Sequence, residues 1–137
     1  MQDAVARYCA ASEAGDMHGL AATLAADVQM PSPLFGRMTF KGQADVSALL
    51  TIVYRTISAV SWEQPVGEGA TRVAVSHTRI AGLRLDDAMV FELDHDGLIR
   101  LIRPHLRPWL ASSLFALMVG PRAVAQPGVV LRALRRG

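Results

Sequence analysis

The chain has 137 residues, a formal net charge of +2, 51% apolar residues and one cysteine, Cys9. This is the length of one domain. A single thiol excludes a disulfide framework or cysteine-based metal site and fits a reducing, cytoplasmic setting. The arginines are scattered except in Arg132–Gly137, too narrow a basic run for a nucleic-acid face. No apolar run approaches the roughly 20 residues that span a bilayer, and Met1-Gln-Asp-Ala-Val lacks the pattern of a secretory signal.

In chain order, Ala4, Val5, Tyr8, Cys9, Ala11 and Ser12 recur at helical spacing, and Gly15 closes that helix. Asp16 caps a short second helix that is expected to stop near Asp27. A strand over Val28–Ser32 leads into a turn region from Pro31 to Gly36, and Arg37–Lys41 alternates like a second strand. Gly42 opens a third helix from Gln43 to about Ile57, with Val46, Leu49, Leu50, Val53 and Ile57 on its apolar face. Strands are expected at Ser58–Val66, Thr71–Ala81 and Arg84–Leu93, and Asp94-His-Asp-Gly97 turns the chain into Leu98–His105. Beyond Pro108 two further helices are expected, Trp109–Val119, ended by Gly120-Pro121, and Val129–Leu134. The order predicts an α+β fold with helices gathered on one face of a curved antiparallel or mixed sheet. Residues 1–108 form a cone within a single domain spanning 1–137, and 109–137 a helical tail.

The hairpin around Gly82 carries polar residues among apolar ones, as the wall of a cavity would. Strand residues of one parity share a face, so Val73, Val75, His77, Arg79 and Ala81 form one row and Leu85, Asp87, Met89, Phe91 and Leu93 another. A turn centred on Gly82 sets His77 opposite Asp87, and one centred on Leu83 sets Arg79 there. Either register clusters His77, Arg79 and Asp87. A histidine beside a carboxylate is a candidate general base, since its unperturbed pKa is about 6.5 and the carboxylate orients it.

Four segments carry a family resemblance over about residues 3–108: Ala6-Arg-Tyr-Cys-Ala-Ala-Ser-Glu-Ala-Gly-Asp-Met-His-Gly-Leu20, Ala25-Ala-Asp-Val-Gln-Met-Pro-Ser-Pro33, Phe40-Lys-Gly-Gln43, and the strand pair from Phe91 to Pro108. Together they resemble the nuclear-transport-factor-2-like superfamily, which includes ketosteroid isomerases, limonene-type epoxide hydrolases and SnoaL-type polyketide cyclases. The resemblance implies a cystatin-like cone, no cofactor, a hydrophobic small-molecule ligand and a homodimer through the outer sheet face. It does not fix a reaction, because the fold hosts many.

The isomerases use a helix-one tyrosine and a protonated acid as an oxyanion hole, with a carboxylate base on the first strand. Tyr8 keeps the tyrosine. Ser32 stands at the base and Met89 at the acid, which leaves Asp87, one step along the same face, as the carboxylate to take over a role. The epoxide hydrolases' Arg-x-Asp becomes Arg79-Ile-Ala81, and their last-strand acid becomes Pro104. At the equivalent position in the cyclases stands Pro104 or its neighbour His105.

The expected catalytic set is therefore His77, Asp87 and Tyr8. The expected substrate-binding set is Arg79, Met89, Met30, Ser32, Trp62, Phe91, Arg103 and His105. His18 and His95 lack metal-ligand spacing, and no metal is expected. The expected function is acid–base chemistry, such as isomerisation, cyclisation or epoxide opening, on a lipid, terpenoid or polyketide substrate; the alternative is a non-catalytic binding or accessory module. In the tail, Trp109, Leu110, Leu114, Leu117 and Met118 form a face expected to be buried against the cone's mouth, the sheet or a second subunit. Contact with a membrane surface is the less favoured alternative.

Overall fold

The computed structural model describes residues 3–34 and 37–135. Its elements run α1 (Ala4–Ala14), α2 (Met17–Ala21), β1 (Leu24–Pro31), β2 (Thr39–Lys41), α3 (Gln43–Thr56), β3 (Ser58–Trp62), β4 (Thr71–Ile80), β5 (Leu83–Leu93), β6 (Ile99–Arg103), β7 (Leu106–Arg107), α4 (Trp109–Val124) and α5 (Pro127–Arg135). Residues 35 and 36 of the expected Pro31–Gly36 turn lie outside the described residues. The two N-terminal helices start on carboxylate caps: Asp3 accepts from the Ala6 N–H and Asp16 from the Gly19 N–H, each at 2.8 Å. Gly15 ends α1 at φ 72°, the left-handed conformation that favours glycine.

One curved sheet is ordered β2-β1-β6-β5-β4-β3, with β7 also paired to β5. The β1–β6 pair is parallel and every other pair antiparallel. Helices α1 and α3 cover the concave face. Val5, Tyr8, Val46 and Leu50 meet Met30, Ala74, Met89, Phe91 and Ile102 there in the main core. A second apolar cluster forms where Ala111, Phe115 and Val119 of α4 pack on Ile80 and Leu85 near the end of the β4–β5 hairpin.

Four boundaries differ from expectation. Helix α2 stops at Ala21 and β1 begins at Leu24, because the chain joins β6, pairing Leu24 with Ile99. Strand β3 ends at Trp62, leaving Val66 only an isolated bridge to Val73. The last strand breaks at Pro104, which has no N–H for the ladder, into β6 and β7. Helix α4 runs on through Pro121 to Val124.

Register is the largest correction. The pairing Ile80↔Leu83 makes the hairpin a two-residue turn, with Ala81 at φ 47° and Gly82 at φ 83°. Positive φ at both central residues is the geometry that matches the twist of paired strands. The centre of symmetry therefore falls between Ala81 and Gly82, not on Gly82 or Leu83. Asp87 pairs with Ser76, and His77 pairs with Asp86. A one-residue shift exchanges the faces of a strand. Val73, Val75, His77 and Arg79 consequently lie on the outer face, and Ala74, Ser76, Thr78 and Ile80 on the inner one.

Candidate active site

Between α3, the inner face of β4 and β5, and α4 lies a cavity of about 310 Å³. That volume lies at the lower end of the ~300–1,000 Å³ typical of small-molecule sites. Its wall is mostly apolar and includes Met30, Leu50, Val53, Leu85, Met89 and Phe115. Polar side chains enter at Ser32, Tyr54, Ser76, Thr78 and Asp87. Among the described lining residues, Asp87 is the one carboxylate.

Asp87 reaches the cavity because β5 residues of odd number face inward: Leu85, Asp87, Met89 and Phe91 are all buried. Burial is the dominant influence on its carboxyl and pushes its pKa up to about 6, against a smaller lowering by the backbone N–H and imidazole of His105. The His105 N–H donates to Oδ1 at 2.9 Å. This bond is available because the strand pairing resumes immediately after Pro104, with Asp87 opposite Leu106. A carboxyl held on one oxygen, in a mostly apolar enclosure and with its titration midpoint about one unit below neutral pH, is fitted for proton transfer.

Tyr54 supplies the second polar group. Its hydroxyl is 2.9 Å from that of Tyr8, and burial raises the pKa of both phenols, that of Tyr8 well above 10. Both remain protonated at neutral pH. The Tyr54 hydroxyl also hydrogen-bonds Ser12, and when Tyr8 donates to Tyr54 the Tyr54 hydrogen can turn from Ser12 to a ligand in the cavity. Tyr8 is itself fully buried and is not part of the cavity wall; it packs edge-on against Tyr54, Trp62 and Phe91. The Trp62 indole N–H donates to Ser12 Oγ at 2.8 Å, and Ser12 Oγ donates to the Cys9 carbonyl at 2.8 Å. These contacts fix the tyrosine from behind. Burial pushes the Cys9 thiol up to about 12, as suits a packing residue.

The structure separates the proposed histidine base from the cavity. His77 Nδ1 lies 2.9 Å from Asp86 Oδ1 and Nε2 lies 3.1 Å from Glu63 Oε2, on the outer face. The Asp86 hydrogen bond is the main cause of a raised His77 pKa. Desolvation opposes ionisation of Asp86, but hydrogen bonds from His77 and Arg84 outweigh it and lower its pKa. Arg79 is exposed and donates to the Gly82 carbonyl at 3.1 Å. The expectation that His77, Arg79 and Asp87 share one cavity is therefore corrected.

Of the expected binding residues, Met89, Met30 and Ser32 line the cavity. Phe91 and Trp62 stand behind it in the aromatic cluster. Arg103 is exposed beside Glu92, and His105 contributes its backbone while its ring faces the Ala88 carbonyl at 3.1 Å. Tyr54 was missed by sequence reasoning, although it lies four residues after Leu50 on the same helix face. Among the described residues, no group of three or more His, Cys, Asp or Glu side chains converges as a metal site would require.

No family model and no curated protein matches the sequence. Solved structures do match its shape. A Silicibacter pomeroyi DSS-3 protein with a cystatin-like fold superposes with a TM-score of 0.88 at 23% identity, covering 97% of this chain and 95% of its own. A steroid delta-isomerase from Pseudomonas aeruginosa gives a TM-score of 0.81 at 20% identity, covering 91% and 92%. A Mycobacterium tuberculosis protein in complex with estradiol-17beta-hemisuccinate gives 0.59 at 19% identity, covering 75% and 93%. With its curved mixed sheet, concave helices and C-terminal helical extension, this chain has the nuclear-transport-factor-2-like, cystatin-like fold.

Proposed function

We propose that the chain is a cofactor-independent enzyme that moves a proton on an apolar carbonyl compound of steroid or polyketide type. The observation that carries this reading is Asp87, the one carboxylate among the described residues lining a mostly apolar cavity, with a pKa of about 6. Ionised, it takes a proton from the carbon next to the carbonyl. The Tyr54 hydroxyl, backed by Tyr8, donates a hydrogen bond to the oxygen as it becomes an enolate, and a preorganised donor of this kind is worth far more in a dry site than in water. The protonated Asp87 then returns the proton at a different carbon, completing an isomerisation with no net gain or loss of atoms. The likeness to a steroid delta-isomerase and to a steroid-bound protein supports the ligand class.

The binding-module alternative would be favoured by a cone filled by Met30, Met89 and the tail. Those residues instead line the wall of a cavity that also holds the polar groups of Asp87 and Tyr54, and it is this polar cluster that supports the enzyme. The test is turnover of a β,γ-unsaturated ketosteroid, followed by the absorbance of its conjugated product, across pH 4–9. The expected kcat rises through about pH 6, and Tyr54→Phe lowers it about 100-fold with little change in binding. A chain that binds the ketosteroid without converting it would reject the catalytic reading in favour of the module.

A further inference from the structure

The tail leaves a row of large apolar side chains uncovered. Trp109, Leu110, Leu117 and Val124 are exposed, Trp109 at 78% and Leu117 at 72%. At 3.6 residues per turn the four fall within an arc of about 100° on α4, opposite Ala111, Phe115 and Val119, which dock on the hairpin. The expectation that Trp109, Leu110 and Leu117 are buried is thereby corrected: one face of α4 is spent on the second apolar cluster, and the other has no cover among the described residues. Leu131 and Leu134, three apart on α5, are exposed as well.

Charge indicates what covers this face. Residues 97–137 hold seven arginines and no Asp or Glu, whereas residues 1–96 hold seven cations and all twelve carboxylates. Four of those arginines are engaged, Arg132 by Asp45, Arg100 and Arg103 by Glu92, and Arg107 by Asp86. Arg135 is exposed at the end of α5, while Arg122, on the docked side of α4 with Phe115, donates to neutral acceptors, the Thr56 hydroxyl and the Met118 carbonyl.

We propose that the outer face of α4 docks on an anionic lipid surface, with Trp109 and Leu117 entering the headgroup boundary and the tail arginines meeting lipid phosphates. A second copy of the chain fits the charges less well, because its own residues 97–137 would bring further arginines and no carboxylate to the contact. Among the described residues no single helix is long and apolar enough to cross a bilayer, and α4 and α5 are bent by 104°. The fit is to a helix lying in the interface plane. Val124 belongs both to this stripe and to the cavity wall, so the docked face adjoins the cavity. The docking itself does not depend on the chemistry at Asp87.

The test is co-sedimentation of the full chain with vesicles of phosphatidylcholine plus phosphatidylglycerol, and of phosphatidylcholine alone, at low and high salt. Binding is expected on the anionic vesicles, about tenfold weaker without phosphatidylglycerol and weaker in high salt. Trp109→Ser with Leu117→Ser should lower it at least about tenfold, since both side chains insert. Arg135→Gln, which leaves the apolar stripe intact, should weaken it about fivefold, and Asp87→Asn should bind as the wild type. The inference is overturned if the folded wild type ignores anionic vesicles, or binds both vesicle types equally. A concentration-dependent dimer that the double variant dissociates, with no vesicle binding, would also overturn it and assign the face to a second copy.

Discussion

On the outer face of the β4–β5 hairpin, Asp86 receives hydrogen bonds from His77 and Arg84 and its pKa falls. On the inner face, Asp87 has one backbone N–H at Oδ1 and an apolar cavity around it, and its pKa rises to about 6. Two neighbouring carboxylates thus differ in chemistry because strand alternation turns them to opposite sides. Both are buried, Asp86 at 5% and Asp87 at 8%, but an acid held by cationic partners is stable and inert, whereas one with a single backbone partner is costly to ionise and available to a ligand.

The widest separation between the faces is expected in turnover. Asp87→Asn should lower kcat on a ketosteroid by about 100-fold or more, the range for loss of a general base, while Asp86→Asn leaves it within about twofold. Equal losses in both variants would erase the distinction. Stability should divide along the same line. Leu85→Ala, which opens a hole beneath Phe115 and Ile80, should cost about 2–5 kcal/mol, and Arg84→Ala on the exposed side less than about 0.5 kcal/mol, read from urea denaturation.

The dependence of stability on pH sharpens the comparison further. The folded-state pKa of Asp87, about 6, lies above the ~3.9 of an unfolded aspartate. The stability it contributes is therefore fully present below pH ~4 and lost as the pH rises through about 6, in all some 2–3 kcal/mol. Asp87→Asn should flatten the wild-type decline in Tm across that window. Asp86, whose folded pKa is lowered, has the opposite sign: its contribution is present above the unfolded pKa of ~3.9 and disappears as the pH falls below it. The smallest effect is expected at His77. Its raised pKa makes its contribution one that is lost as the pH rises above its folded-state value, and at a half-exposed position His77→Ala should shift Tm by no more than a degree or two and leave turnover unchanged.

Much of the fold was legible because its signals are local. The caps Asp3 and Asp16, the 3.6-residue period of α1 and α3 and the Asp94–Gly97 turn lie in short stretches of sequence. The register of the hairpin did not, because Gly82 serves equally as the middle of a three-residue loop or the second residue of a two-residue one. The structure chooses the latter by placing Ala81 in a left-handed conformation that alanine rarely adopts. That single step carried His77 to the wrong face in the sequence reading while leaving Asp87 on its own. Tyr54 was overlooked for a different reason: it adjoins Val53 in an apolar helix, and nothing in the sequence places it beside Tyr8, 46 residues earlier. In the tail, helical periodicity identified an apolar face but not which of its sides would find a partner, since that depends on Ile80 and Leu85 at the far end of the hairpin.

The central claim is that Asp87, and not the His77–Asp86 pair, is the group poised to exchange a proton. It is tested most directly by a carbon-13 NMR titration of the aspartate carboxyls, with the Asp87 resonance assigned by its absence in Asp87→Asn. A midpoint at about 6 that stays in place in His77→Ala is the expected result. A midpoint near the ordinary ~4 of an aspartate, or one that moves when His77 is removed, would contradict the assignment.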